Sequence, residues 1–126
     1  MTILILLLTG RIFFAVIFIF SGLTQVINYK GTVQFMSTSG VPFPKFSAIA
    51  STLMAVAGGI GIVFYAYSLY GSIMIILFLL PATFFGHKFW GVKDKKEKTN
   101  QMQHFMKNIS LIGGAIIIAL ASFYDK

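Results

Sequence analysis

Four long apolar runs separated by short polar stretches set the pattern of this 126-residue chain. They cover about residues 3–26, 46–64, 69–85 and 103–124. At about 1.5 Å of rise per residue, helices of this length cross a hydrocarbon core of about 30 Å. Residues 32–40 are too polar to span, and Val33 and Met36 stand one turn apart. That spacing predicts a short helix lying at the membrane surface, closed by Gly40 and by the following Pro42 and Pro44. The expected fold class is all-α. A four-helix transmembrane bundle, with a short interfacial helix after the first span, forms a single domain over residues 1–126.

Within the runs, small residues carry the packing signal. The second holds Ala55, Ala57, Gly58, Gly59 and Gly61, and the fourth holds Ser110, Gly113, Gly114, Ala115, Ala119 and Ala121. Helices in lipid associate through such small faces, which let backbones approach closely. Pro81 in the third run has no N–H for the carbonyl of Leu77, so one acceptor is freed inside the membrane.

Four spans place residues 28–45 and 86–104 on one side of the membrane. The first side then carries Lys30, Lys45, Lys88, Lys93, Lys95, Lys96 and Lys98, and the second only Lys126 and the terminal amine. The positive-inside rule makes the lysine-rich loops cytoplasmic and both termini external, in a cytoplasmic (inner) membrane. Tyr65, Tyr67, Tyr70 and Tyr124 fall together on the outer side, Tyr29 and Trp90 on the inner, as an aromatic belt requires.

Composition agrees with this solvent. Only 10% of residues are charged, against 57% hydrophobic, whereas a soluble domain carries about a quarter charged residues. The net charge of +7, clustered beside apolar runs, suits anionic headgroups and gives no reason to invoke nucleic acid. With no cysteine, disulfides and Cys-ligated iron–sulfur clusters are excluded. The first run lacks a basic leading region and carries Arg11, so it reads as an uncleaved span.

Few residues offer chemistry. Arg11 lies roughly 15 Å into the first span, where a charge costs about 2.5–3.5 kcal/mol. It either binds an anionic or carbonyl-bearing ligand, such as a quinone headgroup, or holds helices together through carbonyls such as that of Leu77. His87 and His104 end the third span and begin the fourth. They could ligate haem, donate to a quinone oxygen or relay protons; the plainer alternative is a pair of interfacial histidines. Haem is the least favoured of these, because cross-helix ligands usually lie within the apolar region. Gln25, Asn28, Gln103 and Asn108 fall at the same face and, with Trp90 and the histidines, could line a polar pocket. Ordinary polar residues at span ends are the competing reading. A metal site lacks a clear third ligand, and residues 93–98 read as a solvated face beside anionic lipid.

At these residues the chain resembles the DoxX family of small bacterial and archaeal membrane proteins. The resemblance runs through Gly10-Arg11, Phe18-Ile19-Phe20-Ser21-Gly22-Leu23, Ser39-Gly40-Val41-Pro42, Gly58-Gly59 and Ala82-Thr83-Phe84-Phe85. Its most specific part is His87-Lys88-Phe89-Trp90 followed by Gln103-His104-Phe105-Met106-Lys107-Asn108 and Gly113-Gly114. The family often has lysine where Gln25 stands and glutamate where Ala55 stands. Ala55 is expected at the depth of Arg11, so the arginine lacks that partner here. Some members resemble subunits of a thiosulfate:quinone oxidoreductase, and others associate with redox-defence complexes.

The resemblance implies a membrane subunit supporting quinone-linked oxidoreduction in a larger complex. Arg11, Gln25, His87, Trp90, His104 and Asn108 would bind a quinone or lipid headgroup. The alternative is a non-catalytic assembly module without cofactor, packing against itself or another membrane protein. Transport of a small molecule is less favoured, because the spans offer no polar path.

Overall fold

The computed structural model describes residues 1–124, and side chains as far as residue 122. The expected outer places of the Tyr124 ring and of Lys126 therefore lie outside the described residues. Five α-helices follow one another: α1 (Thr2–Ile27), α2 (Tyr29–Thr38), α3 (Pro44–Val63), α4 (Ser68–Gly86) and α5 (Lys95–Tyr124). Single 3-10 turns at Tyr65–Tyr67 and Phe89–Gly91 join α3 to α4 and α4 to α5. All but α2 are long and apolar enough to cross a membrane.

The junctions follow from local chemistry. Asn28 alone turns the chain out of α1. Its N–H still donates to the carbonyl of Thr24, and its own carbonyl already accepts from the N–H of Thr32. The interfacial helix consequently begins at Tyr29, three residues before the polar pattern places it. Its end is a double hydrogen bond: the N–H of Val41 donates to Met36 at 3.0 Å, and that of Gly40 to Ser37 at 3.2 Å. Gly40 adopts φ +85° to allow this, a conformation open to glycine at no steric cost. Pro44 then occupies the first turn of α3, where a missing N–H costs nothing.

The fourth long helix departs from expectation. Residues 86–104 do not form one loop, because α5 starts at Lys95. Asp94 caps it, its carboxylate accepting the N–H of Glu97 at 3.0 Å. Asp and Glu three apart are a helix-start signature, and it outweighs the lysine run. At 30 residues α5 is about 45 Å long, so its first turns project beyond the hydrocarbon.

The long helices pack antiparallel in the order α1, α3, α4, α5. Close approach depends on the small residues. A Cβ added at Gly71 of α4 would lie 2.6 Å from the carbonyl oxygen of Gly58 and 2.7 Å from the nitrogen of Ile62. On the other face of α3, one added at Gly59 would lie 3.2 Å from the carbonyl of Ala15. Phe14 closes the gap between α1 and α5 by resting against Gly114. The centre of the bundle is formed by Ala15, Phe18, Ile62, Ile75, Leu79 and Ala115.

This register moves one expected neighbour. Gly59 meets α1 at Ala15 and Ile19, and Gly22 meets α3 at Thr52 and Val56, so Ala55 stands near the level of Gly22 rather than Arg11. Arg11 is level with the end of α3 and the turn that follows.

Candidate functional site

Among the described residues, a cavity lies toward each end of the bundle. The inner one, at the lysine-rich end, measures about 600 Å³, within the range of small-molecule sites. All five helices contribute to it. Its walls are apolar, with Phe18, Ala50, Met54, Phe78, Ala82 and Leu111 among them. Gln25, Asn28, Ser51, His87, Lys107 and Asn108 supply polar groups. Helix α2 lies across this end through Gly31, Thr32, Phe35, Met36 and Ser39. Leu77 and Pro81 both border the cavity, so the proline's disruption of the helical ladder falls against it.

The polar groups are held in defined positions. Gln25 Oε1 accepts from the hydroxyl of Thr52 at 2.8 Å and from that of Ser51 at 3.2 Å, tying α1 to α3. His87 Nδ1 lies 2.8 Å from Gln101 Oε1, and Gln101 Nε2 donates to Glu97 Oε1 at 3.0 Å. The carboxylate can only accept, so it fixes which end of the Gln101 amide faces the histidine. An amide oxygen can only accept as well. The His87 proton therefore sits on Nδ1, and in the neutral ring Nε2 keeps its lone pair. Lys88 Nζ donates to the carbonyl of Ser39 at 3.0 Å and lies 5.4 Å from the Phe85 ring centroid, fastening the end of α2 to the end of α4.

Of the residues singled out in the sequence, Gln25, Asn28, His87 and Asn108 share this cavity. His104 stacks on His87 with centroids 5.1 Å apart but is exposed and lies outside the lining. Trp90 is 56% exposed; its indole packs edge-on against Phe89 and Phe105, away from the cavity. Gln103 is exposed too. Arg11 is fourteen residues before Gln25, about 21 Å along α1, and lines the second cavity instead. This outer crevice of about 340 Å³ runs between α1 and α5. Phe14 borders the outer cavity, and Phe18 and Phe78 the inner one. These three rings pack in series at 5.2 and 6.3 Å between centroids and form an aromatic layer between the two spaces.

Arg11 does not reach the carbonyl of Leu77, which lies by the inner cavity. Its guanidinium carbon stands 5.2 Å from the centroid of the Tyr65 ring. Ser51, Thr52 and Gln101, the partners that hold Gln25 and His87, were not expected at the site. The signal that could find Gln101 is the spacing of Asp94 and Glu97, a helix start that places Gln101 one turn beyond Glu97.

The chain is similar to known proteins over most of its length. The DoxX family model matches residues 6–88. The inner membrane protein YphA of Escherichia coli (strain K12) is 32% identical over 116 residues, 92% of this chain and 82% of its own length. The inner membrane protein YqjF of the same organism is 29% identical over 113 residues, 90% of this chain and 81% of its own. No solved structure matches. The family match ends within the segment that carries His87 and covers α1 to α4; with the four long apolar helices, it shows that the chain is an integral membrane protein of the DoxX family.

Proposed function

We propose that this chain is an inner-membrane subunit that binds the headgroup of a quinone in the inner cavity, in support of quinone-linked oxidoreduction by a larger complex. The observation that carries the reading is the inner cavity itself: apolar walls wide enough for a ring and the start of an isoprenoid tail, with a fixed set of polar groups. In the neutral ring His87 Nε2 keeps a lone pair, which suits acceptance of a hydrogen bond from a quinol hydroxyl, and Gln101 and Glu97 steady the ring. Gln25, Asn28 and Asn108 would bind the remaining oxygens. Electrons would pass to and from a partner subunit. The relatives' description as inner membrane proteins supports the location. Lysines gathered at the α2 end of the bundle support cytoplasmic loops and external termini.

The test is the quinone and quinol content of protein purified in mild detergent, followed by anaerobic titration with a short-chain quinol, whose hydroxyl can donate to His87. About one quinone per chain is expected. Ala50→Phe places a ring in the cavity and weakens binding, and His87→Leu removes the acceptor and weakens quinol binding by about three- to tenfold, the worth of one hydrogen bond. A chain that retains none and takes none up rejects the quinone reading and leaves the assembly module.

A further inference from the structure

The outer crevice carries a second inference, independent of the quinone reading. Its lining comes from α1, α5 and Tyr65, and apart from Arg11, Tyr65 and Ser122 it is apolar. Arg11 is half-buried, and its Nε is enclosed without a hydrogen-bond partner. The acids among the described residues, Asp94 and Glu97, stand at the opposite end of the bundle. A guanidinium held in apolar surroundings calls for an anion. Side chains on a helix lean toward its N-terminus, so Arg11 reaches toward Tyr65 and the membrane surface, the level at which lipid phosphates lie. The walls are open to the bilayer: Leu6 is 64% exposed and Ile117 69%, so a chain of hydrocarbon can enter sideways.

We propose that this crevice binds one anionic phospholipid from the outer leaflet. Its phosphate accepts from Arg11, and an acyl chain lies along Leu6, Leu7, Phe14, Ile117 and Ile118. Arginine suits the role because its planar fork meets phosphate oxygens two at a time.

The experiment measures lipid retained by the full chain after detergent washing, by native mass spectrometry, with phosphatidylglycerol, diacylglycerol and oleate supplied in separate arms. Wild type retains one phosphatidylglycerol and neither of the others. Arg11→Gln lowers retention about fivefold or more, the expected worth of one basic side chain at an anionic surface. Gly10→Leu is the second variant. A Cβ there meets nothing within 4 Å, so the new side chain enters the crevice with the fold and Arg11 intact, and it too displaces the lipid. Helicity and elution volume identify any variant that fails to fold. Unchanged retention in folded Arg11→Gln or Gly10→Leu, equal retention of diacylglycerol, or oleate in place of the phospholipid would each overturn the proposal. Both variants leave quinone in the inner cavity unaffected, so this proposal and the quinone reading fail separately.

Discussion

Gly71 and Gly113 are both membrane glycines, yet the fold asks opposite things of them. A methyl on Gly71 runs into the backbone of α3 at 2.6–2.9 Å, whereas one on Gly113 meets nothing within 4 Å. Gly71→Ala is expected to destabilise the bundle by about 1–3 kcal/mol, the usual cost of overpacking. Gly113→Ala leaves stability unchanged or raises it slightly, since alanine is the better helix former. Thermal unfolding in detergent compares the two. The small-residue pattern marks Gly113 as a packing residue and does not single out Gly71, the reverse of what the contacts show. The same limit applies to Trp90 and His104. Their positions at span ends are readable, but whether a ring faces the bundle or the water depends on the rotation of α5 for His104 and on the turn Phe89–Gly91 for Trp90. In runs apolar on every side, nothing in the pattern fixes that rotation. Gln25 and His87 sit near less apolar stretches, and their grouping was correspondingly easier to read.

Helix α5 shows how one cap redefines an element. Hydropathy starts the span near residue 103, because the lysines before it dilute the apolar signal. The Asp94 cap starts the helix at Lys95, which puts Glu97 and Gln101 one turn apart on a rigid rod and carries Gln101 to His87. Asp94→Ala should therefore cost about 1 kcal/mol, typical of a lost cap, and increase hydrogen exchange over residues 95–101 while leaving the transmembrane part of α5 protected. Equal protection in wild type and variant would show that the cap is not what holds these turns. Helix α2 depends on a different attachment. Lys88→Ala removes the donor to Ser39 and is expected to raise proteolytic cleavage in residues 39–43, with the long helices untouched.

For the molecule as a whole, the number of spans, their order and the packing role of the α3 glycines are legible from hydropathy and glycine placement. The depth of each site is not. Ala55 seemed level with Arg11 because depth was counted from span ends, but the close contact of Gly59 with Ala15 sets the register and separates them. Orientation can be read directly in a chain without cysteine. A single cysteine in place of Lys96 should react with an impermeant maleimide only from the cytoplasmic side of the membrane, and one in place of Thr2 only from the other. The reverse labelling would invert the topology.

The layer of Phe14, Phe18 and Phe78 has a consequence for bioenergetics. A protein hollowed from both faces of an energised membrane risks becoming a leak for protons, since water in two nearby chambers can join into a conducting thread. Three rings packed tilted and edge-on between the chambers offer such a thread no hydrogen-bonding partner, so the two spaces are expected to stay electrically separate.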